Sequence, residues 1–219
     1  MSKKTFNIKV PEKRKDWQKQ QGLYFMIAGD IWESINQLNR NLKSKKIDYC
    51  LVESIALNLH GYERLTTDVD ILMDGENLAR FTRELIGLGY RPAFLGAKKT
   101  FYDTKKTRIE ILVTREYPGD GKPKPISFPN PTEVLTEIDS LPVINLEKLI
   151  EMKLASGISN PGRFKDLGDV QEMIKVLDLP LDFMESLSPY VQDKYMELWS
   201  GASLDTYQSE QRKSIDLDR

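Results

Sequence analysis

The sequence predicts an α/β (α+β) protein: a small mixed sheet flanked by helices, followed by a helical C-terminal part. Three observations carry this expectation. Short β-rich runs at 47–52, 69–73 and 107–114 alternate with segments of helical period. From Asn145 onward the apolar spacing is helical, with Pro161 and Pro180 at the breaks. Between the two patterns, residues 117–131 hold Pro118, Gly119, Gly121, Pro123, Pro125, Pro129 and Pro131, which predicts an irregular crossing.

Each element has its own signal. Residues 23–46 read as one long helix, because Ile27, Ile31, Ile35, Leu38 and Leu42 recur on one face. The run 47–52 is a strand. Ser54 then opens a short helix that Gly61 stops. The strand 69–73 is closed by Asp74-Gly75, a turn signal. Residues 77–88 form an amphipathic helix with Leu78, Phe81, Leu85 and Ile86 on one side. A short strand fits within 93–102. In 107–114, Arg108, Glu110 and Leu112 face one way, and Ile109, Ile111 and Val113 the other. Helices are expected at 146–156, 162–177 and 181–199, and the polar residues 205–219 are expected to fray. The chain divides into a basic N-terminal arm (1–22), an α/β domain (23–130), a helical C-terminal part (131–204) and a polar tail (205–219).

Composition narrows the function classes. The 219 residues are 40% hydrophobic and 30% charged, with a formal net charge of -1, so no global field attracts nucleic acid. The charge is uneven: Lys3, Lys4, Lys9, Lys13, Arg14, Lys15 and Lys19 face only Glu12 and Asp16 in the first twenty residues. A solvated arm and a phosphate-contacting patch both fit that run. Cys50 is the only cysteine, which excludes an intramolecular disulfide and argues against a cysteine metal centre. No apolar run approaches the roughly 18 residues of a membrane span. The N-terminus lacks an apolar h-region, so neither a secretory signal nor a membrane partner is expected, and a cytoplasmic setting fits.

The most informative stretch is 64–70, Arg-Leu-Thr-Thr-Asp-Val-Asp, followed by the apolar Ile71-Leu72-Met73. On a strand, residues i and i+2 share a face, so Asp68 and Asp70 leave one side and Val69 the other. Paired hard oxygens suit Mg²⁺ holding a nucleoside triphosphate, and a cation relieves the repulsion between the two carboxylates. Asp-x-Asp alone is a common tripeptide, and a solvated strand edge also explains it.

The surroundings are more specific. Ala56, Leu57, His60, Gly61, Arg64, Thr66, Asp68, Val69, Asp70, Ile71 and Leu72 match the pattern A-L-x-x-H-G-x-x-R-x-T-x-D-[IV]-D-[IL]-L. This resembles the nucleotidyltransferase superfamily, in its AbiEii-like (abortive-infection toxin) branch or an uncharacterised relative. In the block LEKLIEMKLASGISNPGRFKDLGDV, Lys153, Arg163, Asp166 and Asp169 resemble that branch's helical motif. The likeness spans roughly residues 45–180.

The resemblance implies a nucleotidyltransferase-like sheet and a set of roles. Asp68, Asp70 and a third carboxylate, Glu110, would be the catalytic metal ligands for Mg²⁺, converging within a metal's reach. Glu110 is also implied as base for the acceptor. Ser54, Arg64, Thr66 and Lys153 would bind the NTP substrate, with Lys153 neutralising phosphate charge. Glu53 departs from the pattern, which has glycine there. Glycine tolerates positive φ and lets phosphate approach closely, whereas glutamate adds bulk and negative charge.

The implied activity is transfer of a nucleoside monophosphate from Mg-NTP to a hydroxyl acceptor, RNA such as tRNA or a protein. The implied setting is a toxin–antitoxin or phage-defence system with a cognate antitoxin as partner. Two alternatives stand beside it: a catalytically impaired nucleotide- or partner-binding protein on the same scaffold, and a small-molecule (antibiotic) nucleotidyltransferase. His60 reads as a packing or capping residue, and Asp166 and Asp169 as ion-pair partners of Arg163 or Lys165.

Overall fold

The structure, a computed structural model, describes the backbone of residues 26–217 and the side chains of 31–204. The basic arm at 1–22 lies outside the described residues. The chain forms two compact units. One comprises residues 26–116 with Ser127–Leu149. The other comprises Tyr117–Ile126 with residues 150–217.

The first unit is the expected mixed sheet with flanking helices. Its elements are α1 (Met26–Ser44), β1 (Cys50–Leu51), α2 (Glu53–Leu59), β2 (Asp68–Met73), α3 (Gly75–Leu85), β3 (Arg91–Pro92), β4 (Thr100–Tyr102), β5 (Arg108–Val113), α4 (Pro131–Val134), β6 (Leu135–Ile138) and β7 (Leu141–Ile144). Seven strands run in the order β3-β4-β5-β2-β1-β7-β6. The β2/β5 and β1/β7 pairs are parallel and the other pairs antiparallel. The three strands read from sequence are therefore neighbours at the centre.

One face of the centre is apolar. Val69, Ile71, Ile109 and Ile111 are buried, and Phe101 pairs with Ile109 on the same side. The Phe81 ring of α3 lies 5.0 Å from Phe101 and 5.4 Å from Tyr90. Ile31, Ile35, Leu38 and Leu42 form the buried stripe of α1. A buried Ser34–Thr107 hydroxyl contact of 2.8 Å ties that helix to the start of β5. Thr107 has the parity of Ile109, so α1 and α3 share the apolar face.

Two turns set the strand ends. Helix α2 closes with Gly61 at φ +108°, where Gly61 N–H bonds Asn58 O at 3.1 Å and Tyr62 N–H bonds Leu57 O at 3.0 Å. That is a Schellman motif, which favours glycine. The hairpin β6–β7 lies within residues 131–204, where the sequence predicts a helical part. Its two-residue turn, Asp139-Ser140, has φ of +52° and +64°. Such turns usually announce themselves with glycine. Here side chains of α1 brace the turn: Asn39 Nδ2 and Lys43 Nζ both donate to Ser140 O.

The second unit is helical. The division falls within α5 (Leu146–Ser159), and α6 (Phe164–Val176) and α7 (Pro189–Leu217) follow, with 3-10 turns at Pro161–Arg163 and Leu181–Ser186. Residues 181–186 are thus a tight turn rather than the start of a long helix, and α7 continues through Leu217 into the tail expected to fray. Gly119 (φ +76°) passes so close to α5 that a Cβ there would lie 2.2 Å from Ser159 Oγ. Tyr195 and Trp199 of α7 donate to the carbonyls of Pro180 and Leu179. Among the described residues, no helix is long and apolar enough to cross a membrane.

The aromatic stack under β4 gives a direct test of the sheet unit. Phe81 is fully buried. Phe81→Ala is expected to lower stability by about 3–5 kcal/mol, read by urea unfolding.

Candidate functional site

The register of β2 against β5 builds the candidate site. Asp68 pairs with Arg108, and Asp70 pairs with Glu110. In a parallel pair, directly opposed residues project to the same face, and i and i+2 share it too. Asp68, Asp70, Arg108 and Glu110 therefore all stand on the face opposite the apolar one, each half-buried.

Arg108 organises the charges on this face. Its Nη1 lies 3.3 Å from Asp68 Oδ2, and its Nη2 lies 2.7 Å from Glu110 Oε2. One guanidinium thus bridges carboxylates on two strands. Thr66 steadies the approach to β2: its hydroxyl donates to Asp68 O at 3.0 Å, with Asp68 Oδ1 3.3 Å away.

Asp68, Asp70 and Glu110 share a face, as the alternation of the two strands predicts. Among the described residues, no group of three or more His, Cys, Asp or Glu side chains is placed to hold a metal ion. Like charges on adjacent strands need a cation between them, and Arg108 supplies it. In kind and in facing, the donors suit a hard divalent ion.

The Glu53–Ser54 turn adjoins this face through the backbone. Val52 N–H donates to Asp70 O at 3.0 Å, so the turn starts where β1 leaves β2. Glu53 has φ +51°, the left-handed region that favours glycine. The backbone keeps the glycine conformation with a glutamate in it. Ser54 follows as the second residue of α2, half-buried.

The loop after α2 is clamped by Asn58, which sequence reasoning missed. Asn58 Nδ2 donates to Arg64 O at 2.7 Å, and Arg64 N–H donates to Asn58 Oδ1 at 2.6 Å. The amide imitates a strand neighbour and fixes where Arg64 and Thr66 sit. A buried asparagine within a helix, next to an irregular loop, is the only hint in the sequence. His60 does cap α2, and its Nε2 lies 2.7 Å from Ile144 O. Cys50 is buried in β1, and burial pushes its thiol up to about 12, so it offers no thiolate at neutral pH.

Lys153 belongs to the helical unit, and the structure gives it a structural setting. Its side chain is 0% exposed, and Nζ lies 3.0 Å from both Asp166 Oδ1 and Asp169 Oδ2. Ser156 Oγ donates to Asp166 Oδ2 at 2.6 Å, and Arg163 Nε donates to the same oxygen at 2.8 Å. The foreseen Arg163–Asp166 pair is present, and the larger partner of both aspartates is Lys153. Its charge is balanced here by two carboxylates.

No protein-family profile and no curated protein matches the chain. Among solved structures, the chain is similar to TM1012 of Thermotoga maritima, a provisionally named nucleotidyltransferase. That likeness has 16% identity, 67% of this chain and 93% of that one covered, and a TM-score of 0.45. It is also similar to JHP933 of Helicobacter pylori, at 15% identity, 96% and 100% coverage and a TM-score of 0.44. A third, another provisionally named nucleotidyltransferase from Helicobacter pylori, has 15% identity, 92% and 98% coverage and a TM-score of 0.43. These likenesses are in outline and assign neither family nor activity.

Two predictions follow from the charges and the backbone. Burial alone would raise the Asp166 pKa, but Lys153, the Ser156 hydroxyl and Arg163 outweigh it and hold the carboxyl below its usual range. Its contribution to stability is therefore present above the unfolded aspartate value of about 3.9 and is lost as pH falls through the lower folded value. Unfolding midpoints measured between neutral and strongly acidic pH should drop in that lower window, and the drop should shrink in Asp166→Asn. At the turn, Glu53→Gly relieves a left-handed residue and is expected to raise stability by about 0.5–1 kcal/mol in urea unfolding.

Proposed function

We propose that the chain transfers a nucleoside monophosphate from an Mg²⁺-bound nucleoside triphosphate to a hydroxyl acceptor. The β2–β5 register carries this reading, because it sets Glu110 opposite Asp70 on the face of Asp68. The motif of residues 56–72 agrees with it. Asp68, Asp70 and Glu110 would hold Mg²⁺, which when bound supplies charge neutralisation for the phosphates. Glu110 would take the proton of the acceptor hydroxyl. The acceptor oxygen then bonds the α-phosphorus, the bond to the bridging oxygen breaks, and pyrophosphate leaves. Ser54 would give a hydroxyl donor to the phosphates. Arg64 would add a cation, and Thr66 would hold Asp68 in position. Lys153 enters as the residue that fixes α5 to α6 through Asp166 and Asp169.

The acceptor class extends the family resemblance: RNA such as tRNA or a protein side chain, in a toxin–antitoxin or phage-defence setting with a cognate antitoxin. A second reading is a nucleotide- or partner-binding protein without transfer activity. The observation favouring it is Glu53 itself, a residue at positive φ directly after Val52, whose N–H is bonded to Asp70 O.

Incubation with each α-labelled NTP, Mg²⁺ and total RNA or protein tests the enzyme reading. Label should pass to one acceptor and be abolished in Asp68→Asn and Asp70→Asn. The melting temperature of both variants should be nearly unchanged: Asp70→Asn relieves like-charge repulsion, and Asp68→Asn gives up only one half-exposed pair with Arg108. A fully active Asp70→Asn variant, or an absence of transfer despite tight NTP binding, would sink it.

A further inference from the structure

We propose that Arg108 is a built-in counter-cation that closes the carboxylate face, and that a divalent ion must displace it to bind. This rests on the proposed metal role of Asp68, Asp70 and Glu110. Arg108 stands directly opposite Asp68 in the β2–β5 ladder and two residues before Glu110, so sheet geometry alone aims it at both. Its two terminal nitrogens are divided between the strands, one to Asp68 and one to Glu110. Asp68 and Glu110 are therefore held by one guanidinium between the strands. This is a cation already in the place where charge neutralisation is needed.

The lock is built to open. The Arg108 side chain is 42% exposed, and its partners Asp68 and Glu110 are 33% and 37% exposed. Ion pairs so open to water are weakly held and are screened by salt. The contrast is Lys153, whose ammonium is fully buried between its aspartates and cannot exchange without opening the helices. A divalent ion brings two charges to the same carboxylates in place of one, so exchange is favourable once the ion is abundant. The affinity of the resting protein for metal is lowered by whatever the two Arg108 pairs contribute.

Titration of Mn²⁺ alone, followed by the electron paramagnetic resonance signal of the free ion, tests this without any turnover. Circular dichroism checks that each variant is folded. Arg108→Gln should bind Mn²⁺ roughly five- to thirtyfold more tightly than the natural chain, the range expected for losing two exposed pairs. Asp70→Asn should weaken binding in both backgrounds. If Arg108→Gln binds no more tightly while Asp70→Asn still weakens binding, the lock is overturned and the carboxylate site stands. If no protein binds Mn²⁺, or binding ignores Asp70→Asn, the metal role of these acids falls and the lock falls with it.

Discussion

The parallel pairing of β2 with β5 is the constraint on which the candidate site depends. A slip by one residue would carry every side chain of a strand to the other face. Asp70 would then leave the side of Glu110 and enter the apolar layer. The polar face does not hold the register by itself. Its visible pairs, Arg108 with Asp68 and Glu110, are exposed, and such pairs contribute at most about 1 kcal/mol each. The opposite face is stronger. Val69, Ile71, Ile109 and Ile111 are all within 1% of full burial, and each is worth about 1.5–3 kcal/mol against exposure. The core therefore positions the carboxylates, and the apolar residues between them are as much a part of the site as the acids.

Two charge clusters among the described residues obey the same electrostatics with opposite outcomes. On the sheet, a guanidinium meets two carboxylates near water, where association is loose. In the helical unit, Lys153 meets Asp166 and Asp169 out of water, with Ser156 and Arg163 completing the hydrogen bonds. Removing one partner from such a buried set leaves an uncompensated charge, a loss of about 3–5 kcal/mol. Burial thus separates a cluster suited to exchanging ligands from one suited to fixing helices. Sequence alone cannot draw that distinction, because Lys153 and Arg108 are both cations near acids in the linear chain.

How much was legible follows from how local each signal is. The central strands and α1, α3, α5 and α6 were readable because their periodicity lies within each segment. The common face of Asp68, Asp70 and Glu110 was readable because period 2 on two strands fixes facing, given a pairing that the motif implied. The hairpin β6–β7 was not, since its turn is Asp139-Ser140 without glycine and its support comes from Asn39 and Lys43, a hundred residues earlier in the chain. Asn58 was missed for a similar reason: its partner is a backbone segment six residues on, and no side-chain pattern records it. Arg108 was placed on the correct face, but its bridging role depends on cross-strand distance.

Glu53 is where local and global demands disagree most. The residue has positive φ, a conformation that L side chains adopt at a cost of about 1–2 kcal/mol. Its neighbour Val52 is tied to Asp70 by the sheet, and residues 55–59 are buried as the core of α2. The backbone has no room to relax on either side, so the fold imposes the glycine conformation whatever residue stands there. The conformation therefore belongs to the scaffold, and the strain comes from placing a residue with a Cβ in it. On the proposed reading, a carboxylate directed from this turn toward the face would oppose phosphate, and the guanidinium of Arg108 would oppose metal. Both would then make the resting face less receptive than three bare carboxylates and a glycine turn. A nucleotide and a divalent ion arriving together would answer both, since each carries the charge that the other's site lacks.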